Sequence, residues 1–161
     1  CLKFVVDGML GSLARWLRML GYEADYDSRA QDNILLEKTK TNGAILLTRD
    51  EELYNRARSK GVGAVQVLGN KDEERLGQLA KTLSLALDLD MAHARCPECG
   101  SALHEITRSE ASPVVPKASL SHYENFWRCT NTECGKTYWL GSHVDNIRRT
   151  LQKARAIMDE M

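Results

Sequence analysis

The sequence predicts an α/β domain with a parallel sheet, followed by a cysteine-rich module and a terminal helix. Three observations support this fold class. Short apolar runs alternate with amphipathic stretches in the first part of the chain, an order typical of a parallel sheet with helices on both faces. Two close pairs of cysteines follow, and the chain ends in a stretch with one apolar helical stripe. We therefore expect three parts, 1–92, 93–141 and 142–161.

The composition is that of a globular protein without bulk charge. The chain of 161 residues has 22 Lys+Arg against 22 Asp+Glu, so no net field steers it toward nucleic acid or an anionic membrane. No run approaches the roughly 18 apolar residues of a spanning helix, and no charged-then-apolar leader is visible. We expect a soluble, cytoplasmic protein with no membrane partner.

Strands and helices are predicted in regular alternation along the first part. Residues 2–6 are β-branched and aromatic, which predicts a strand, and 9–20 place four leucines on one helical stripe. A strand over 22–26 and a helix from Asp32 to Thr41 come next, and the helix ends before Asn42-Gly43. The remaining predicted elements are a strand over 44–48, a helix over 50–60, a strand over 63–68 and a helix over 72–87.

Carboxylates follow the predicted strands where they end. Asp7 follows the first strand and Asp50 the third, and we expect these strands to be neighbours in a sheet of order second, first, third, fourth. Asp27 and Asp32 follow the second strand. Ligands of such sheets bind beyond the carboxyl ends of the strands. Clustered carboxylates suit Mg²⁺ or Mn²⁺, and such an ion can activate water for attack on a phosphodiester.

Each of these acids also has a purely structural interpretation. Thr48 and Glu51 could form a capping box, with Asp50 favouring the helix dipole in the first turn. Asp7 could be a turn residue, and Asp32 could be an N-cap. Arg49 could neutralise a phosphate or form a surface ion pair.

The cysteine pattern predicts a structural zinc site. "CPEC" (96–99) and "CTNTEC" (129–134) are separated by 29 residues, and each pair is followed by a glycine. Two such pairs can hold one tetrahedral zinc, whereas disulfides would need an oxidising compartment, and iron is the competing metal. The expected zinc ligands are Cys96, Cys99, Cys129 and Cys134. Because they fill all four positions, the metal has a structural role.

The cysteine-rich module also carries aromatic and basic residues. Residues 108–124, between the pairs, are rich in Pro and Ser and predict a flexible excursion. The aromatics near the second pair could form a small core or stack on unpaired bases. Candidate nucleic-acid contacts, in this module and elsewhere in the chain, are Arg15, Arg18, Arg49, Trp127, Arg128, Lys136, Trp139 and His143.

The last predicted helix starts near His143 and has one apolar stripe. Ile147, Leu151, Ala154 and Met158 share this stripe, and basic residues lie toward the other face. An exposed stripe of this kind could support a homodimer.

Four stretches together resemble one known family. "DGMLGSLARWLRMLGY", "LLTRD", "RCPECGSAL" and "FWRC…CGKTYWLGSH" look like the Mut-seven C-terminal RNase family, over nearly the whole chain. The resemblance implies a PIN-like three-layer nuclease domain followed by a zinc ribbon. It also implies cleavage of single-stranded RNA by acids around Mg²⁺ or Mn²⁺. Carried over by position, those acids are Asp7, Asp50 and the helix-borne Asp32, with Glu37 as a rival to Asp32.

The residues and the resemblance together predict a metal-dependent endoribonuclease. PIN-like sites often include a fourth acid, for which Glu51 and Asp72 are candidates by proximity. The alternative is a non-catalytic module that binds RNA or protein on a degenerate PIN-like fold. A phosphoacceptor receiver is disfavoured because Asp7 is followed by Gly8 and Met9, and a nucleotide hydrolase because no P-loop is present. The sequence indicates neither the RNA sequence cleaved nor a protein partner.

Overall fold

The computed structural model describes residues 2–161, and Cys1 lies outside the described residues. One parallel sheet contains β1 (Lys3–Val6), β2 (Glu23–Tyr26), β3 (Ile45–Thr48) and β4 (Ala64–Gln66) in the order β2-β1-β3-β4. This is the order that the sequence predicted. Because β1 and β3 are neighbours, Asp7 and Asp50 follow adjacent strands at the same edge of the sheet.

Four helices cover this sheet: α1 (Gly11–Met19), α2 (Asp32–Asn42), α3 (Glu51–Ser59) and α4 (Asp72–Leu83). Successive strand residues point to opposite faces. Val6 and Leu47 therefore belong to the apolar cluster built by α1 and α4. Val5 and Leu46 belong to a separate cluster built by α2 and α3. Burial on both faces explains why the strands are continuously apolar.

Helix α4 is four residues shorter than predicted. It ends at Leu83 because Ser84 adopts a left-handed conformation, with φ of 58°. Leu85 and Leu87 are still buried, but from a segment outside the helix. The leucines at 83, 85 and 87 recur every second residue, a period that fits extended chain rather than helix. That period is the signal that the prediction overlooked.

The cysteine-rich module contains a small antiparallel sheet of β5 (Leu103–Ile106), β6 (Phe126–Cys129) and β7 (Thr137–Tyr138). The predicted flexible excursion over 108–124 is wrong, because this segment forms α5 (Arg108–Ala111) and α6 (Lys117–His122). Thr107 caps α5, and the Glu110 carboxylate accepts a hydrogen bond from the Thr107 N–H at 3.0 Å. Ala111 and Val115 of this segment are buried against Phe126 of β6.

The terminal helix α7 (Val144–Glu160) packs on α4. Leu151 and Ala154 are buried in the cluster that α4 helps to build, which confirms the predicted apolar stripe. Gly77 permits the close approach, since a Cβ there would lie 2.9 Å from Cγ2 of Ile157. The stripe is therefore covered within the chain, and a homodimer stays a prediction.

None of the helices within residues 2–161 is long and apolar enough to cross a lipid bilayer.

Candidate functional site

The four predicted zinc ligands lie together. The sulfur atoms of Cys96, Cys99, Cys129 and Cys134 are all within 4.8 Å of one another. Cys96 Sγ is 3.8 Å from Cys134 Sγ, and Cys99 Sγ is 3.3 Å from Cys129 Sγ. A tetrahedral zinc with Zn–S bonds of about 2.3 Å requires sulfur atoms about 3.8 Å apart. The donor set and its spacing fit a four-cysteine zinc site.

The four thiols do not all have the same pKa. Burial raises the pKa of Cys129 to about 12. Burial also acts to raise the pKa of Cys99, but hydrogen bonds from Ser101, Cys129 and Cys96 outweigh it and lower the pKa to about 6. Neighbouring thiols cannot all ionise without a cation among them. A bound divalent metal would remove this conflict.

Two side chains outside the thiol set support the first cysteine pair. The Tyr138 hydroxyl lies 3.0 Å from Cys96 Sγ. Arg18 is only 6% exposed, and its guanidinium donates to the carbonyls of Pro97 at 3.0 Å and Glu98 at 3.3 Å. It also donates to the carbonyl of Ala24 in β2 at 2.9 Å. Arg18 therefore ties the metal-binding turn to the parallel sheet.

A second cluster lies at the carboxyl edge of the sheet. The Asp7 N–H donates to the Leu47 carbonyl at 2.9 Å, which joins the ends of β1 and β3. The hydroxyl of the fully buried Thr48 donates to Asp7 Oδ2 at 2.7 Å and accepts from the Asp50 N–H at 3.0 Å. One hydroxyl thus links the two acids that the sequence placed together.

Asp50 is the N-cap of α3. Its Oδ1 accepts from the N–H groups of Glu52 at 2.8 Å and Leu53 at 3.3 Å. The predicted capping box of Thr48 with Glu51 is therefore wrong, because the helix begins two residues later than that interpretation required. Asp50 Oδ2 and Asp7 Oδ1 accept no hydrogen bond from residues 2–161, which leaves one oxygen of each carboxylate for another ligand.

Asp32 lies on the neighbouring helix α2. It is the first residue of that helix and not its N-cap, which is Gln31. Its Oδ2 lies 3.7 Å from Nη1 of Arg56 on α3. Glu37 is exposed on the same helix, about one and a half turns further on. Within residues 2–161, the four cysteines form the group of three or more potential metal ligands that lie close enough to share one ion. Asp7, Asp32 and Asp50 do not lie close enough together to form such a group.

The two candidates for a fourth acid differ in their surroundings. Glu51 is exposed in the first turn of α3. Asp72 begins α4, and both of its carboxylate oxygens lie 3.0 Å from the Ser12 hydroxyl on α1. Asp72 is therefore held in place by another element, whereas Glu51 is not.

Several predicted nucleic-acid contacts instead bind within the chain. The buried Arg18 does not fit a surface role. Arg15 pairs with Glu98 at 2.6 Å, and Lys136 approaches the same carboxylate at 3.5 Å. Arg128 donates to the Glu110 carbonyl at 2.9 Å. Arg15 and Arg18 are thus where α1 meets the cysteine-rich module.

Other candidates remain partly or fully accessible. Trp127 and Trp139 are half-buried, His143 is exposed, and the exposed Arg49 donates to the Gly69 carbonyl. The sequence interpretation missed the Thr48 hydroxyl as a link between acids and the Ser12 hydroxyl beside Asp72. The sequence places Thr48 at the end of a predicted strand and close to Asp50, but only the folded chain shows that its hydroxyl also bonds to Asp7.

One comparison with known proteins gives a match. The model of the Mut7-C RNAse domain matches residues 2–151, which include both the carboxyl-edge acids and the four cysteines. No curated protein and no solved structure matches the chain.

Proposed function

Because the chain belongs to the Mut7-C RNAse domain family, we propose that it is a metal-dependent endoribonuclease. Its substrate would be single-stranded RNA, and the fold would be PIN-like, with three layers. Asp7 and Asp50 would hold Mg²⁺ or Mn²⁺, with Asp32 approaching from α2 and Glu37 as its rival. The observation that carries this proposal is the link from Asp7 through Thr48 to Asp50 at the carboxyl edge of the sheet.

The oxygen donors at this edge fit such an ion. Mg²⁺ is commonly held by one or two carboxylates, with waters and substrate phosphates completing its shell. Asp7 and Asp50 each have one oxygen without a partner among residues 2–161. Neither forms an ion pair with Lys or Arg there, whereas Asp32 does. The two strand-end acids are therefore better placed as ligands than Asp32.

The chain's own residues would prepare the site. When bound, Mg²⁺ or Mn²⁺ would lower the pKa of a water and offset charge on the phosphodiester. The Thr48 hydroxyl fixes the orientation of the Asp7 carboxylate. Asp50 is held by the first N–H groups of α3. Arg49, between Thr48 and Asp50 in the chain, would neutralise the negative charge of the RNA backbone.

The cysteine-rich module would act as a structural zinc ribbon. Its four thiolates leave no open coordination position, and Arg18 joins the first cysteine pair to β2. We propose that the chain divides into a nuclease domain over 1–92, a zinc ribbon over 93–141 and a terminal helix over 142–161. A cytoplasmic location stays a prediction, as does contact of Trp127, Trp139 and His143 with RNA.

Cleavage of a labelled, unstructured RNA tests the function. We expect wild type to cleave it with Mn²⁺ or Mg²⁺, and Asp50→Ser to lose that cleavage. Serine keeps a good N-cap, so this substitution separates helix capping from metal binding. Glu52→Gln, on the same helix, is the matched control. Zinc content and thermal unfolding are measured for each variant, since cleavage that survives Asp50→Ser in a zinc-loaded protein contradicts the proposal.

A non-catalytic binding module is the second candidate. Asp50 uses one carboxylate oxygen to cap α3, and this role alone would account for an acid at that position. RNA binding by wild type without metal-dependent turnover would favour this candidate. The same assay, read for binding as well as cleavage, separates the two.

A further inference from the structure

The turn between β4 and α4 lies directly beside the proposed active site. The Val67 N–H donates to the Thr48 carbonyl at 2.7 Å, so β3 and β4 are joined up to their last residues. Arg49 and Leu68 are each one residue beyond that bond. Because neighbouring strands lie about 4.8 Å apart, this turn is about one strand spacing from the end of β3.

Two guanidinium groups converge on this turn. Arg49 donates to the Gly69 carbonyl. Arg75 on α4 donates to the same carbonyl at 3.3 Å and to the Asn70 carbonyl at 3.3 Å. Asp72, 3.6 Å from Arg75, is the carboxylate that neutralises part of this charge. Like charges at one point repel unless an anion lies between them, and guanidinium groups suit phosphate in charge and geometry.

Side chains of α4 hold the turn rigid. Gln78 Oε1 accepts from the Leu68 N–H at 2.7 Å. Glu74 Oε1 accepts from the N–H groups of Asn70 and Lys71, both at 3.1 Å. Gly69 has a φ of 95°, which a side chain would strain. The position of Leu68 is therefore fixed by its backbone.

Leu68 nevertheless leaves its side chain in solvent. It is 59% exposed, although it follows the buried Val67 and its N–H is bonded to Gln78. The exposed side chain of Leu68 can contact the face of an unpaired base, and the two arginines bonded to the same turn can contact a phosphate. In a duplex the base faces are stacked and cannot reach such a side chain.

We propose that Arg49, Leu68 and Arg75 form a subsite for one nucleotide of single-stranded RNA next to the scissile position. Arg49 and Arg75 hold its phosphate, and Leu68 contacts its base. This inference rests on the proposed ribonuclease function, because that function supplies the strand that reaches the turn. The subsite extends the proposed function because contact of Leu68 with a base face would make the site prefer unpaired RNA.

RNA binding by the full-length protein tests the subsite. Fluorescence anisotropy is measured with a short, unstructured RNA in the Asp50→Asn background, where cleavage does not consume the probe. Arg75→Ala and Arg49→Ala should each weaken binding and reduce the slope of log affinity against log salt by about 0.7. Arg58→Ala, which removes an exposed arginine of α3, is the matched control and should leave the slope unchanged.

Leu68→Ala tests the base contact. It should weaken single-stranded binding about fourfold, the effect of about one methylene group no longer removed from water, and should leave duplex binding unchanged. Val114→Ala is the control, since Val114 is 63% exposed in the cysteine-rich module. Wild-type affinity and salt slope in the Arg75, Arg49 and Leu68 variants would overturn the subsite.

The two proposals fail in different ways. If wild type cleaves RNA but the three variants behave like their controls, the subsite is wrong and the function stands. If the variants weaken RNA binding but wild type does not cleave, the three residues form an RNA-binding site without a scissile position beside it, and the ribonuclease function is wrong. Equal losses for single-stranded and duplex RNA would overturn the base contact, and absence of RNA binding by the parent protein would overturn the subsite itself.

Discussion

Arg18→Met is the substitution that tests how the cysteine-rich module is attached to the sheet. Methionine keeps much of the apolar stem but removes every donor. The Ala24 and Pro97 carbonyls then lose their buried hydrogen bonds. Leaving a buried acceptor unsatisfied costs about 1–3 kcal/mol. We take about 1.5 kcal/mol for each of the two carbonyls, because water can enter at this boundary, and expect a loss of about 3 kcal/mol in the free energy of unfolding.

Urea unfolding of the zinc-loaded protein measures this loss. A small domain is typically stable by only about 5–15 kcal/mol, so the shift in midpoint would be large. The matched control is Arg15→Met, three residues earlier on the same helix. It removes an exposed ion pair with Glu98 that is worth about 0–1 kcal/mol. Zinc release to a coloured chelator should also be faster in Arg18→Met, since two carbonyls of the metal-binding turn lose their donor. Equal midpoints and equal zinc release for the two variants would refute this account.

Three further substitutions test separate contacts. Thr48→Val removes the hydroxyl between Asp7 and Asp50. It should lower the cleavage rate about 10–100-fold, as loss of a side chain that orients a metal ligand typically does. An unchanged kcat would contradict the link. Gly77→Ala ordinarily favours a helix by about 1 kcal/mol, but a Cβ 2.9 Å from Ile157 should reverse the sign and lower the thermal midpoint, so a rise would contradict the α4–α7 packing. The hydrogen bond from Arg15 lowers the pKa of Glu98 from 4.5. The stabilisation that this ion pair gives the folded state is therefore present above pH 4.5 and is lost as the pH falls through the lowered pKa. Glu98→Gln should remove this pH dependence of the free energy of unfolding, which urea unfolding at a series of pH values measures.

The sequence was sufficient for the parallel sheet and its strand order. Each strand is a continuous apolar run because both faces are buried, as Val5 and Val6 show by packing into different clusters. Asp7 and Asp50 could be paired from the strand order alone. The cysteine spacing likewise predicts four thiols within reach of one ion, and the four sulfur atoms lie within 4.8 Å of one another.

The details that sequence could not supply depend on contacts between distant segments. The position of Arg18 in the first helix does not indicate whether its side chain faces solvent or the core. Only the folded chain shows the carbonyls of Pro97 and Glu98 around its guanidinium. Arg75 lies 26 residues from Arg49, and nothing in their spacing indicates a shared carbonyl at Gly69. The folded segment over 108–124 was misjudged because its Pro and Ser content outweighed the capping box of Thr107 and Glu110.

The pairing of Asp7 with Asp50 as a metal site is the central claim, and binding of Mn²⁺ followed by electron paramagnetic resonance tests it without any RNA. Wild type should bind Mn²⁺, and Asp7→Asn and Asp50→Ser should each bind it more than about tenfold more weakly, since loss of a ligand should cost at least as much as loss of an outer-shell partner. Zinc content should stay unchanged in all three proteins. Equal Mn²⁺ binding by wild type and both variants would contradict the claim and return Asp50 to its role as the N-cap of α3.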